Sequence, residues 1–565
     1  MTAAERREAG IGQQESVIGD PSPVIGNRSP ATGHRAPVTD ARCVWFPLLA
    51  FIALTSALAV NHVMWRDEVR ALSVAIHSAT WADLVRNLHT EGHPIVWYAI
   101  LRVGYSLTHS VYVMPVLSLA FAAGAAYLVL RFAPFPVWAR LLIVFGAFLG
   151  YQFSVVARNY GIAILLMIAA CILFSKRHER PFALGLTLAV MANTSIHAAL
   201  AGLVIGFVWA MDVFNAAYRP NLLRFPSIIA LLIVVAGVAV AVVSAKPSPD
   251  MAFAPDLATL DYGALLRKIF KDPGLSLAGS SNADVGAAGD LPWARLGLDP
   301  ALMSRVFVNV SLLSIAWSLR RNRACLVGML LAILGYSILF RGAYTGALRH
   351  EGVLFFLLVS LCWIACNEPR EDTGPNRRRA IALGMLPLLA TQSLALPVLA
   401  RRAIIHPESS SRLYAQLIQR TPRYRDAILM SEPDYNMETM PYYVTNPVYM
   451  PRQHEFHYRV SFDRVRRQQR LTLGELVHIA DSLTCATGRT ALIAIAHPKL
   501  FTDTAGVAHL AYRGAEFIWA PPDKASLFGR GKQVAVFQKA AEENYRVFEI
   551  APRADSRCRT PTGSR

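Results

Sequence analysis

The chain has 565 residues, of which 54% are hydrophobic and 17% charged. Soluble domains carry roughly 25% charged residues, and one ordinary core does not need this length, so a single soluble globule is excluded. The formal net charge of +18 (56 basic, 38 acidic) comes with no nucleic-acid-binding motif, which excludes nucleic acid as the partner.

Residues 1–42 are rich in Pro, Gly, Ser, Arg and Ala and lack periodicity. They read as a disordered cytoplasmic tail with no cleavable signal peptide. Apolar runs then recur near 43–61, 111–131, 137–151, 158–175, 181–196, 197–214, 225–244, 301–319, 324–340, 348–366 and 379–399. They predict an α-helical polytopic membrane protein with about eleven transmembrane helices. Basic residues fill every second loop: Arg131 and Arg140; Lys176, Arg177 and Arg180; Arg219 and Arg224; Arg320, Arg321 and Arg323; Arg370 and Arg377 to Arg379. The positive-inside rule therefore places the N-terminus in the cytoplasm and the C-terminus in the periplasm, across a bacterial inner membrane.

That topology requires residues 93–109 not to span. The stretch is short and interrupted by Arg102, which suits a helix lying on the membrane surface. The first outer loop, 62–110, holds a second amphipathic segment: Trp81, Leu84, Val85 and Leu88 share a face and Thr80 is placed as its cap. A later outer loop, 245–300, contains Tyr262, Leu265, Leu266, Ile269 and Phe270 at helical spacing, then a Gly/Ala/Ser-rich stretch near 274–289 that reads as mobile. The resulting divisions are the tail, a membrane body over 43–400, and a periplasmic α/β domain over 401–565. That last domain has strand-like runs at 427–431, 491–497, 534–538 and 545–550 and a helical run at 473–485. It has no nucleotide-binding glycine fingerprint and reads as a recognition or scaffold module.

Of seven cysteines, Cys43, Cys171, Cys325, Cys362 and Cys366 fall in apolar runs and read as small buried residues. Cys485 and Cys558 lie in the C-terminal domain, where an oxidising compartment would permit one disulfide; the spacing leaves this open.

Four charged clusters fall on the outer side. Ionisable groups at a membrane boundary are costly, so each is a candidate site. The first is Trp65-Arg66-Asp67-Glu68, just after the first span, read as a general base or acceptor-binding carboxylate against an interfacial helix cap. The second is Glu91-Gly92-His93-Pro94 with Trp97 and Tyr98, where Pro94 suits the first turn of a helix. Arg158-Asn159-Tyr160 and Arg349-His350-Glu351, with Arg341 and Tyr344 nearby, are the third and fourth. Their arginines break the positive-inside pattern and suit either phosphate binding or snorkelling at the interface. Asn193 and His197 lie near the outer end of the fifth span; a lone histidine there is more often a satisfied interior residue. No spacing supports a strong zinc or iron site.

The order of these features resembles the GT-C membrane glycosyltransferases, in particular the protein O-mannosyltransferases and lipid A aminoarabinose transferases. The resemblance covers about 43–400. It rests on the acidic motif at Arg66-Asp67-Glu68, on Gly92-His93-Pro94 followed by aromatics, on Ala157-Arg158-Asn159-Tyr160, and on Arg349-His350. It departs at Ile95, where the family commonly has a second proline, and the C-terminal domain matches none known. It implies transfer of a sugar from a polyprenyl-phosphate donor to a glycan, lipid or protein acceptor of the cell envelope, on the periplasmic face and with inversion. Asp67 is then the base. Glu68 or Glu91 would orient the acceptor or join Asp67 in binding a divalent cation. Arg158 or Arg349 would hold the phosphate. Arg66, His93, Tyr160, His197 and His350 complete the substrate-binding set. The family also implies a monomer. Two other classes compete: a transporter, flippase or polymerase of lipid-linked saccharides, against which no internal repeat is visible, and a non-catalytic envelope scaffold.

Overall fold

The computed structural model describes residues 41–246, 248, 251, 261–271, 297, 300–343, 347–368, 375–502, 508–512 and 514–553. All belong to one compact unit. The expected N-terminal tail, the 274–289 stretch, Tyr344, Arg370 and Cys558 lie outside the described residues.

The membrane body begins with α1 (Ala41–Asn61) and continues through three short helices, α2 (Arg66–His77), α3 (Trp81–Leu88) and α4 (Val96–Thr108). Then come α5 (Val113–Phe132), α6 (Val137–Val144), α7 (Tyr160–Phe174), α8 (Pro181–Ala192), α9 (Ile196–Ala210), α10 (Arg219–Leu222), α11 (Phe225–Ala245) and α12 (Tyr262–Lys271). The body closes with α13 (Pro300–Leu319), α14 (Arg323–Ile338), α15 (Leu348–Asn367), α16 (Pro375–Gly384) and α17 (Leu386–Ile405). Seven described helices are long and apolar enough to cross a bilayer, and four shorter apolar helical stretches accompany them. Each run expected to span falls on one of these.

Two expectations need correction. The last span is not 379–399. The chain breaks at Met385, before Pro387, so the arginines Arg377 to Arg379 sit on α16 and the long apolar helix is Leu386–Ile405. Cys43, expected to be buried, is exposed.

α15 runs through the middle of the bundle, 89% buried, whereas α11 is 17% buried and turns most of its apolar surface outward. α8 and α11 cross closely because their contacts are small: a Cβ on Gly185 would meet the Ala230 carbonyl at 2.7 Å, and one on Gly237 would meet Ala189 Cα at 2.7 Å. α4 has 13 residues. At 1.5 Å per residue it reaches about 20 Å, short of the ~30 Å hydrocarbon layer. Arg102, the residue that interrupts its apolar run, donates to the carbonyls of Ala75 and Ser78 at 2.9 and 2.6 Å and so satisfies the end of α2.

After α18 (Ser411–Arg420) the chain becomes α/β. The first sheet has the order β1 (Ile428–Glu432), β5 (Ala491–Ile495), β9 (Tyr545–Ile550), β8 (Lys532–Phe537); β1 and β5 are parallel and the other pairs antiparallel. These are the four strands that the sequence predicts. The helix α19 (Leu473–Thr487) carries the chain between β1 and β5, with Thr472 and Glu475 forming its capping box. A hairpin, β2 (Tyr449–Met450) with β3 (Glu455–Phe456), and a second sheet of β4 (Arg470–Thr472), β7 (Ala515–Trp519) and β6 (Ala508–Tyr512) were not foreseen. Cys485 is disulfide-bonded.

Two wholly buried ion pairs hold this domain. Arg452 bonds Glu432 at 2.9 Å and also the carbonyls of Gln468, Gln469 and Glu516; Arg467 bonds Asp434 at 2.7 Å. Removing one partner strands the other charge, at a cost of about 3–5 kcal/mol. Arg452→Ala should therefore unfold the C-terminal domain selectively. Limited proteolysis in detergent is expected to clip residues beyond about 410 while the helical body resists; equal resistance of wild type and variant would refute the assignment.

Candidate active site

The site is built on the first turn of α2, where Asp67 and Glu68 fall in the favourable position for acids at a helix N-terminus. They do different work. Glu68 is fully buried, with Oε2 accepting from His62 Nε2 at 2.7 Å and from the Trp65 amide at 3.4 Å, while Oε1 accepts from the Ala157 amide at 2.7 Å. Its carboxylate does not line the cavity. Glu68 ties the end of α1, the start of α2 and the approach to α7 together.

Asp67 faces outward from that tie. Its Oδ2 accepts from Arg158 at 2.9 Å and Arg349 at 3.3 Å, residues 91 and 282 positions away in the chain. Arg158 is next to Ala157, whose amide Glu68 holds, so the tie places the arginine that grips Asp67.

Asp67 and Arg158 stand on the wall of a cavity of about 350 Å³. Its other side is formed by Glu91, His93, Trp97 and Tyr98 from the turn and helix of the second cluster, by Arg70, and by Phe462 from the C-terminal domain. Arg70 clasps Glu91 with two bonds, at 2.9 and 2.6 Å, donates to the Val460 carbonyl at 3.0 Å, pairs with Glu438 and lies 4.4 Å over the Phe462 ring. Burial and the nearby Arg158 push the His93 imidazole down to about 4, so it is neutral near pH 7. His93 Nδ1 and Trp97 Nε1 are buried and have no hydrogen-bond partner.

The remaining predicted residues do not line this cavity. Arg66 turns to the C-terminal domain, bonding Glu542 at 3.0 Å and lying 4.8 Å over Tyr435, while its amide donates to Glu543. His197 and His350 stack at 4.4 Å with their planes 6° apart, and Tyr160 packs edge-on to both. His350 Nδ1 accepts from the Ala347 amide at 2.9 Å. None of the three lines the cavity, and the Arg158 guanidinium lies 6.0 Å over the Tyr160 ring. Of the expected cation ligands, Asp67 and Glu91 line the same cavity and Glu68 does not. Each is engaged by its own partners, and no group of three metal-ligating side chains occurs among the described residues.

Sequence reasoning missed Arg70, Glu438 and Phe462. Arg70 was visible in principle, four residues after Arg66 and so on the same face of α2. Glu438 and Phe462 carry no local signal, because they reach the site only through docking of the C-terminal domain.

No family model and no curated protein matches the chain. Among solved structures, it is similar to ArnT from Cupriavidus metallidurans bound to undecaprenyl phosphate, at 12% identity and a TM-score of 0.38, covering 89% of this chain and 97% of that one. The same protein in the apo state gives 14% identity and a TM-score of 0.35 over the same shares.

Glu438 offers a test of the Arg70 clasp. Burial pushes its carboxyl up to about 6, against the pull of Arg70 and the Val460 amide, with Glu91 and Arg459 also facing it. An unfolded glutamate titrates near 4.5, so between about pH 6 and 4.5 the folded chain binds a proton that the unfolded chain does not, and stability from this group rises as pH falls, by about 2 kcal/mol in all. Melting curves from pH 7 to 5 should show wild type gaining on Glu438→Gln. Parallel profiles would show that Glu438 does not titrate there.

Proposed function

We propose that the chain is a membrane glycosyltransferase that moves a sugar from a polyprenyl-phosphate donor to an acceptor hydroxyl of the cell envelope, with inversion. The observation that carries this reading is one carboxylate at the wall of a cavity, Asp67, whose Oδ2 accepts from both Arg158 and Arg349 while Arg66 lies 3.7 Å from its Oδ1. A transporter needs no such pairing of a base with two phosphate-binding groups. The short amphipathic helices α2 to α4 beside the cavity suit a membrane surface, where a lipid-linked donor enters laterally. The same reading places the cavity and the C-terminal domain on the periplasmic face of the inner membrane, with residues 43–400 as the catalytic body.

The donor phosphate and Asp67 compete for the same guanidiniums. When the phosphate takes Arg158 and Arg349, Asp67 Oδ2 is released from the two guanidiniums that donate to it and is free to accept a proton. The acceptor hydroxyl gives its proton to Asp67 as its oxygen bonds the anomeric carbon. The bond from that carbon to the phosphate oxygen breaks, and the electron pair leaves with the lipid phosphate. The arginines stabilise that leaving group through charge-assisted hydrogen bonds. General-base assistance of this kind contributes about 10²–10⁴-fold.

Purified protein incubated with polyprenyl-phosphate sugars should release the sugar from its carrier. Asp67→Asn should lower kcat by about 10²-fold or more while donor binding persists. Arg158→Ala should weaken donor binding. Full turnover by Asp67→Asn would remove Asp67 as the base.

A further inference from the structure

The charges lining the cavity are matched within it. Two acidic side chains, Asp67 and Glu91, face two basic ones, Arg70 and Arg158. Glu91 is clasped by both arms of Arg70, whose remaining capacity goes to Glu438 and the Val460 carbonyl. Arg158 and Arg349 share Asp67 until a phosphate displaces it.

This leaves little room for a charged sugar. An ammonium beside Asp67 would replace the departing arginines and hold the carboxylate in a new ion pair, quenching it as a base. A sugar carboxylate would compete with the donor phosphate for Arg158 and Arg349. At the other end, Glu91 and Arg70 already neutralise one another, and a further buried charge there would stand unpaired.

What that end does offer is unmet hydrogen bonding. His93 Nδ1 and Trp97 Nε1 are both buried without a partner. His93 lies in the turn just before α4 and Trp97 in the first turn of that helix, and both line the cavity. An indole N–H donates and a neutral imidazole nitrogen accepts or donates according to tautomer, a set that one or two hydroxyls satisfy. The Trp97, Tyr98 and Phe462 rings in the same lining give apolar faces for the C–H side of a sugar ring.

We infer that, within the reaction proposed above, the transferred group is an uncharged, hydroxyl-rich sugar seated against His93 and Trp97. The phosphate end and the sugar end of the cavity are then distinct: Arg158 and Arg349 hold the leaving group, and the turn at residues 93–97 reads the sugar.

The test is a three-way comparison of polyprenyl-phosphate donors bearing a neutral hexose, an amino sugar or a uronic acid. The neutral donor should be used with kcat/KM at least about 100-fold above either charged one, the scale on which a pocket with fixed polar partners discriminates. Preferred turnover of the amino sugar or the uronic acid would overturn this inference and leave the transferase reading standing. Turnover of none of the three would withdraw both. Trp97→Phe keeps the ring and removes the N–H. It should raise KM for the neutral donor about tenfold with kcat little changed, the loss expected for one hydrogen bond in a dry site. An equal fall in kcat at unchanged KM would assign Trp97 to packing alone.

Discussion

The carboxylate of Glu68 is the constraint on which the site depends. It is buried among three donors: His62 at the end of α1, the Trp65 amide at the start of α2 and the Ala157 amide ahead of α7. A buried carboxylate is tolerated only when so satisfied. Through these donors it joins the end of α1 and the start of α2 to a segment 89 residues away in the chain. With α2 anchored at one end and residue 157 at the other, the side chains that follow, Asp67 and Arg158, are brought to 2.9 Å. Arg349 then completes the grip from the start of α15, the most enclosed of the long helices.

The C-terminal domain docks on the same short helix. Arg66 reaches Glu542 and Glu543, Arg70 reaches Glu438, and Arg412 and Ser411 donate to the carbonyls of His62 and Met64 at the loop between α1 and α2. Phe462 belongs to that domain's core and also lines the cavity. The domain is therefore more than a scaffold set apart from the chemistry: one wall of the cavity and one partner of Arg70 come from it.

Much of this architecture was legible in the sequence because it follows from strong local physics. Long apolar runs mark the spans, and the runs at 428–432, 491–495 and 545–550 form buried strands, with the half-exposed 532–537 at the sheet edge. The length of α4 and the interruption by Arg102 kept it out of the membrane count. The second sheet was hidden because β4 has only three residues, one of them exposed, and gains its identity by pairing with β7. The site was legible as a set of clusters and opaque as geometry. Nothing local distinguishes Glu68 from Asp67; a neighbour 89 residues away makes one a tie and leaves the other facing the cavity. Nor does sequence show that His197 and His350 would stack on each other and turn inward.

Helical geometry explains how one short element serves three purposes. At 100° per residue, Arg66 and Arg70 share a face, Asp67 lies a quarter-turn on, and Glu68 points away from Arg66. The first face meets the C-terminal domain, the second the cavity, the third the membrane body. A shift of α2 by one residue that put Asp67 at the place of Arg66 would set it against Glu542 and Glu543 and put Val69 where Glu68 meets His62 and the Ala157 amide, leaving those donors without their acceptor. The sequence Arg-Asp-Glu-Val-Arg thus reads as a phase marker as well as a source of reactive groups. Its charges fix the rotation of α2, and that rotation sets which carboxylate meets the arginines of α15 and of the loop before α7.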